Sequence, residues 1–125
     1  MIAELASGLV VIGRVLLGGI FVVAGLRHLL ILPVLTAALE QRGVAAARAV
    51  LLAGTAFQIV AGAALVLGLF VTLASLGLIL FTVVASFLLV NFWDKQGEER
   101  VALANAFQTN VGLVGGLMLT AALGL

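Results

Sequence analysis

Cysteine and tyrosine are absent from the 125 residues, and histidine, proline and tryptophan occur once each. Without cysteine there is no disulfide, no thiolate metal site, no thioether-linked haem and no cysteine nucleophile. A lone His28 builds no metal centre by itself and excludes bis-histidine haem ligation within one chain. Charge is almost as scarce, at 9% of residues, against about 25% in soluble domains. A water-facing surface cannot be assembled from that inventory. The formal net charge is +1 and no basic cluster gathers phosphates, so nucleic acid is not a partner. Lacking Cys, Tyr and an intramembrane carboxylate, the chain has no ordinary means of electron, acyl or proton chemistry. It is read as not catalytic by itself, with no metal and no intrinsic cofactor.

What is present is apolar: 65% of the residues, with a mean hydropathy of +1.40. The run from Ala49 to Trp93 holds 45 residues without one Asp, Glu, Lys or Arg. A helix crosses the roughly 30 Å hydrocarbon layer with about 20 residues, so this run holds two crossings joined by a very short turn. The whole chain is read as one transmembrane domain, residues 1–125: an all-α membrane protein, a four-transmembrane-helix bundle with a short interfacial helix between helices 1 and 2. The crossings are placed at about 7–32, 47–69, 71–92 and 101–123. Glu4 in place of a basic leader and Arg14 within the apolar run argue that the first segment is a retained helix and not a signal peptide. Pro33 suits the first turn of the interfacial helix, Pro33 to Gln41, because its missing N–H is not needed there. Gly43 ends that helix in a left-handed conformation. Trp93 stands where aromatic belts stand.

Orientation follows from Lys and Arg in the short loops. The loops after helices 1 and 3 share a side and hold Arg27, Arg42, Arg48, Lys95 and Arg100; the opposite side holds Arg14 and the α-amino group. Loops 33–48 and 94–100 are therefore expected in the cytoplasm and both termini outside, in a cytoplasmic (inner) membrane of bacterial type.

Lipid gives helices no hydrophobic reason to associate, so small residues and buried polar groups must do so. At 100° per residue Arg14, Gly18 and Gly25 fall on one face of helix 1. Gly54, Gln58 and Gly62 form a ridge on helix 2, and Ser75, Thr82 and Ser86 line up on helix 3. On helix 4, Asn105, Thr109, Gly112 and Gly116 align with Gln108 at the edge, while Asn110 is rotated about 140° away. Gly18, Gly25, Gly54, Gly62, Gly112 and Gly116 are read as helix-packing positions. Arg14 is the costliest residue, at about 2.5–3.5 kcal/mol near a helix centre. It either snorkels to the headgroups or points inward to an oxygen. Arg14, Gln58, Asn105, Gln108 and Asn110 are the candidate polar contacts for a quinone or a lipid, with a polar pocket around His28 as the sharper form of that reading.

These features together resemble the DoxX family of small four-helix membrane proteins. Helix 1 carries the likeness from Arg14 through Gly18, Phe21, Ala24 and Gly25 to Arg27, where members commonly have Lys. The link from Leu39 to Val44 matches the short connection before helix 2. Gln58, Gly62 and Gly68 follow an acidic-residue-then-glycine phrase, with Gln58 where Glu is usual. Asn91-Phe92-Trp93 ends helix 3, with Leu89 or Val90 where a His is often found. Phe107 to Asn110 and Gly115-Gly116 carry the likeness into helix 4. The resemblance implies a bundle that serves as an accessory subunit; members are associated with thiosulfate:quinone oxidation and membrane oxidoreductases, others with assembly of membrane proteins. Loss of the usual Glu and His removes the groups that would handle protons.

Three functions are thus expected in order. The first is an accessory or assembly subunit of a larger redox-linked membrane complex, with membrane lipids and other membrane subunits as partners. The second is a quinone- or lipid-binding subunit of an oxidoreductase. The third, remote, is a small transporter with Arg14 meeting an anion.

Overall fold

The computed structural model describes residues 1–125. In chain order it has α1 (Ile2–Leu30), α2 (Leu32–Gln41), α3 (Ala47–Leu67), α4 (Val71–Leu89) and α5 (Gly97–Leu123), with no strand. α1, α3, α4 and α5 are each long and apolar enough to cross a membrane. The fold is a helical membrane bundle, as hydropathy demands: in lipid a backbone must satisfy its own hydrogen bonds, which a helix does.

The long apolar run folds back at Gly68. Its φ of +75° lets the Gly68 N–H donate to Leu65 O and the Leu69 N–H to Ala64 O, tying off the last turn of α3. Phe70 follows at φ +48° and α4 begins at once. α2 is closed the same way: Pro33 lies in its first turn, and Gly43 at φ +80° brings the Val44 N–H to Leu39 O. The buried face of α2 is Leu39, which packs with Ala47 and Leu51 of α3 and with Leu88 and Leu89 of α4.

Two helix pairs make the bundle. α1 lies antiparallel along α3, and steps of four, three and four residues along α1 (Arg14, Gly18, Phe21, Gly25) meet steps of three, four and three back along α3 (Leu65, Gly62, Gln58, Thr55). A Cβ on Gly18 would lie 2.5 Å from Gly62 O, and one on Gly62 would lie 2.8 Å from Gly18 O. The two backbones touch there. Gly25 accommodates Ile59, whose Cγ1 would stand 2.5 Å from an added Cβ. α4 lies along α5, joined by Thr72 Oγ1 donating to Ala121 O at 2.7 Å and Asn110 Nδ2 donating to Ser86 Oγ at 2.9 Å. The pairs meet around Phe21, Leu65, Leu78 and Leu117. Phe57 of α3 covers Gly77 of α4, and Phe81 of α4 covers Gly54 of α3. Arg42 pairs with Asp94 at 3.3 Å, which sets the α2–α3 and α4–α5 connections at one end of the bundle. The α3–α4 turn and both termini lie at the other.

Three boundaries differ from the sequence reading by three residues or more, and the others by two at most. α1 begins at Ile2 and not Ser7, with Glu4 in its first turn, where a carboxylate meets the positive end of the helix dipole. α5 begins at Gly97 and not Val101, with Glu98 and Glu99 likewise in the first turn. α4 stops at Leu89 and not Phe92, because the Arg42 guanidinium holds the Asn91 side chain out of the helix. α1 also runs past the last turn of α3, and residues 1–13 are all exposed.

Gly18→Ala and Gly62→Ala should each lower the unfolding midpoint in mild detergent, by the equivalent of about 1–3 kcal/mol for overpacking. Gly112→Ala, where nothing lies within 4 Å, should leave it unchanged or slightly raised. A thermal-shift series across the three variants checks this ranking.

Candidate functional site

Arg14 turns inward, to a carbonyl. Its Nε donates to Leu65 O at 2.7 Å, and the guanidinium lies against Gly68, where an added Cβ would stand 2.9 Å from one terminal nitrogen. Leu65 O belongs to the last turn of α3, where it accepts the capping Gly68 N–H, keeps a second lone pair for Arg14, and lies at the negative end of the dipole. Twelve residues into α1, the side chain meets an opposite partial charge in place of water. Gly68 thereby acquires a second role, since any side chain there would displace the guanidinium.

Gln58 is 2% exposed, and its Nε2 donates to Phe21 O at 3.0 Å. Its Oε1 turns toward the His28 ring without completing a hydrogen bond. His28 Nδ1 and Thr55 Oγ1 are also buried and unpartnered, as are Ser75 Oγ and Thr82 Oγ1. Buried polar groups in native proteins are nearly always hydrogen-bonded, and each exception asks for an explanation. His28, Thr55 and Gln58 sit together on the α1–α3 seam, toward the end where α2 lies.

Beside that seam an apolar groove opens between α3 and α4. It has a volume of about 590 Å³ and is lined by His28, Thr55, Phe57, Phe81, Val84 and Leu88 among others. Reciprocal Phe–Gly contacts border it: Gly77 carries no side chain and admits the tip of the Phe57 ring, and Gly54 the edge of the Phe81 ring. A smaller cavity of about 420 Å³ lies at the other end of the bundle, lined by Arg14, Leu17, Gly116 and the last turn of α5.

The remaining sequence candidates are dispersed. Asn110 is brought to α4, where it donates to Ser86, whose hydroxyl donates onward to Thr82 O. Asn105 and Gln108 are exposed on the outer face of α5, away from Gln58 and His28. They lie within one turn of Phe107, which packs edge-on against Trp93 at 6.2 Å between ring centres. That is the depth of an aromatic belt, where amides find headgroups and water. Gly112 is also exposed with nothing within 4 Å, so it packs against no helix of this chain. Gly116 lies 3.9 Å from Leu17 of α1 by its added Cβ, and Gly54 lies 3.3 Å from Phe81. The 100° rule sorts residues onto faces; it does not say which face turns inward.

Sequence reasoning overlooked Thr55, because a threonine in an apolar helix carries no cost that marks it. The signal was its spacing: Thr55, Gln58 and Gly62 recur at three and four, the period of one helix face. It also overlooked Arg42, which bonds Asn91 and Asp94 together. With both side chains of the ion pair partly exposed, that pair itself contributes about 0–1 kcal/mol. No three His, Cys, Asp or Glu side chains converge anywhere.

Arg14→Met should destabilise the bundle by about 1.5–3 kcal/mol, the worth of a hydrogen bond to a charged group. Arg14→Lys should recover part of it, since a cation still meets the end of α3. Equal loss in both variants, read by thermal unfolding in nanodiscs, would show that the C-terminal charge is not what Arg14 supplies.

Residues 9–91 match the family described as DoxX. The match runs from the second half-turn past Ser7 in α1 through Asn91, and so ends before α5, where Phe107 to Asn110 and Gly115-Gly116 lie. Neither a curated protein nor a solved structure matches the chain. With four apolar crossings and a family match over most of its length, this multi-pass membrane protein belongs to the DoxX family.

Proposed function

We propose that the protein is a non-catalytic accessory or assembly subunit of a larger, redox-linked complex in a bacterial-type cytoplasmic membrane. It would hold partner helices and lipid on its outer faces. The observation that carries this reading is how little of the chain is occupied by its own fold: 19 of 125 residues are buried. Residues 1–13 and the Asn105, Gln108 and Gly112 face of α5 are exposed, and nothing of the chain lies within 4 Å of a Cβ added at Gly8, Gly13 or Gly112. A bare Gly next to amides on a crossing helix is suited to the close approach of another helix. The family's usual association with oxidoreductases supports the redox link.

A second reading, a quinone- or lipid-binding subunit of an oxidoreductase, is favoured by one specific observation. The α3–α4 groove, about 590 Å³ in volume, is walled almost wholly by apolar side chains, which suits the apolar part of a small lipid-soluble molecule.

Affinity purification of the tagged protein from its native membrane in a nanodisc-forming polymer should recover a stoichiometric complex of membrane subunits. Recovery of the chain alone at endogenous expression would remove the accessory-subunit reading. For orientation, the cysteine-free background allows single reporters. Lys95→Cys should be shielded from an impermeant maleimide in intact cells, and Ser7→Cys should react. The reverse pattern would invert the proposed topology.

A further inference from the structure

We infer that the cavity beside Arg14 is a binding site for one anionic phospholipid, with its phosphodiester on the Arg14 guanidinium. This gives a place and a lipid class to the lipid-holding part of the first reading above and rests on that part alone. The observations are a charge, an opening and a level in the membrane. Arg14 gives its Nε to Leu65 O, and its two terminal nitrogens have no hydrogen-bond partner in the chain. Those nitrogens are not sealed beneath protein atoms. The side chain borders a cavity of about 420 Å³ between α1, the start of α4 and the last turns of α5. Arg14 is the only charged residue lining it. The nearest carboxylate along α1 is Glu4, ten residues away, or about 15 Å at 1.5 Å per residue. A guanidinium without a counter-charge is costly where water is scarce, and an anion brought to the free nitrogens would offset that cost. Two parallel N–H groups match two phosphate oxygens, which is the pairing a guanidinium favours.

The hairpin sets the level. α3 and α4 hold 21 and 19 residues, close to what the roughly 30 Å hydrocarbon layer requires, so their turn at Gly68 lies at the edge of that layer. The guanidinium rests against Gly68, and phospholipid phosphates stand just outside the edge. Position within α1 alone puts Arg14 near mid-helix; its partner on α3 puts it near an interface. Leu17 and Gly116 continue the cavity toward the bilayer centre as apolar surface for an acyl chain. On the outward side Gly13 lines it and has nothing within 4 Å of an added Cβ, which leaves room for a headgroup. Lipid class follows from charge. No Asp or Glu lines the cavity, so an ethanolamine or choline cation would find no partner there. A phosphatidylglycerol brings one negative charge to one positive charge.

The test titrates the full chain in mild detergent with dioleoyl phosphatidylglycerol or dioleoyl phosphatidylethanolamine and counts bound lipids by native mass spectrometry. One saturable phosphatidylglycerol is expected, held about fivefold more tightly than phosphatidylethanolamine, the scale of one partly exposed ion pair. Arg14→Met should weaken it about tenfold, the scale of one hydrogen bond to a charged group. Gly116→Leu, which fills the cavity beside Leu17, should weaken it severalfold. Arg27→Met, which removes an equal charge elsewhere on α1, should change nothing. Thermal unfolding confirms that each variant is folded; if Arg14→Met is not, Gly116→Leu decides. Saturable binding that neither variant weakens would overturn this site and leave lipid holding intact. Equal weakening in Arg27→Met, or equal affinity for phosphatidylethanolamine, would also overturn it. Loss of a co-purifying membrane subunit in Arg14→Met, with lipid binding unchanged, would assign the guanidinium to a partner's carboxylate instead. Absence of saturable lipid on the folded protein would remove both the site and the lipid-holding part of the proposed function.

Discussion

The contact between the Gly18 and Gly62 backbones is the constraint on which the rest of this bundle depends. In hydrocarbon, side chains gain nothing by leaving lipid for one another, so association relies on close packing and on hydrogen bonds that lipid cannot offer. Two glycines facing across the seam let the helix axes approach until each carbonyl lies where the other's Cβ would be. Only at that separation does Gln58 Nε2 reach Phe21 O and Arg14 Nε reach Leu65 O. A larger residue at either position would separate all of these together.

That seam also accounts for the one arginine within the first crossing. A guanidinium in the apolar layer requires an electron-rich partner, and the end of α3 supplies a carbonyl that accepts only the capping Gly68 N–H from its own chain turn. Gly68 both turns the chain and leaves room for the guanidinium. The cost of the charge and the cost of the open helix end offset each other.

Elsewhere the bundle is less complete. α1 is locked to α3 and α4 to α5; the two pairs join around Phe21, Leu65, Leu78 and Leu117, while farther along α3 and α4 only Phe rings set against glycines bridge them and a groove stays open. Unpartnered hydroxyls and an imidazole beside that groove are what a finished fold avoids. The outward amides of α5 and the uncovered start of α1 belong to the same pattern of surfaces left for other molecules. The proposed subunit role and the small-molecule reading of the groove both draw on it, at different places on the surface.

Much of the architecture is legible without coordinates because the bilayer restricts the alternatives so severely. The uncharged run from Ala49 to Trp93 allows only a helical hairpin, Pro33 and Gly43 mark the ends of a short helix, and a 100° projection brings Arg14, Gly18 and Gly25 to one face. The same projection grouped Gly54 with Gln58 and Gly62, yet Gly54 serves α4 while the other two serve α1. It aligned Asn105 with Gly112 and Gly116, of which only Gly116 meets another helix. The amino-acid sequence by itself determined the number and approximate place of the crossings and the residues sharing each face, because these follow from local periodicity and the thickness of lipid. Only the tertiary structure decided which faces meet, that Arg14 finds Leu65 O, and that Thr55 and His28 border a common groove. Those depend on the rotation and register of one helix against another, set by non-local contacts between backbones that no local pattern encodes.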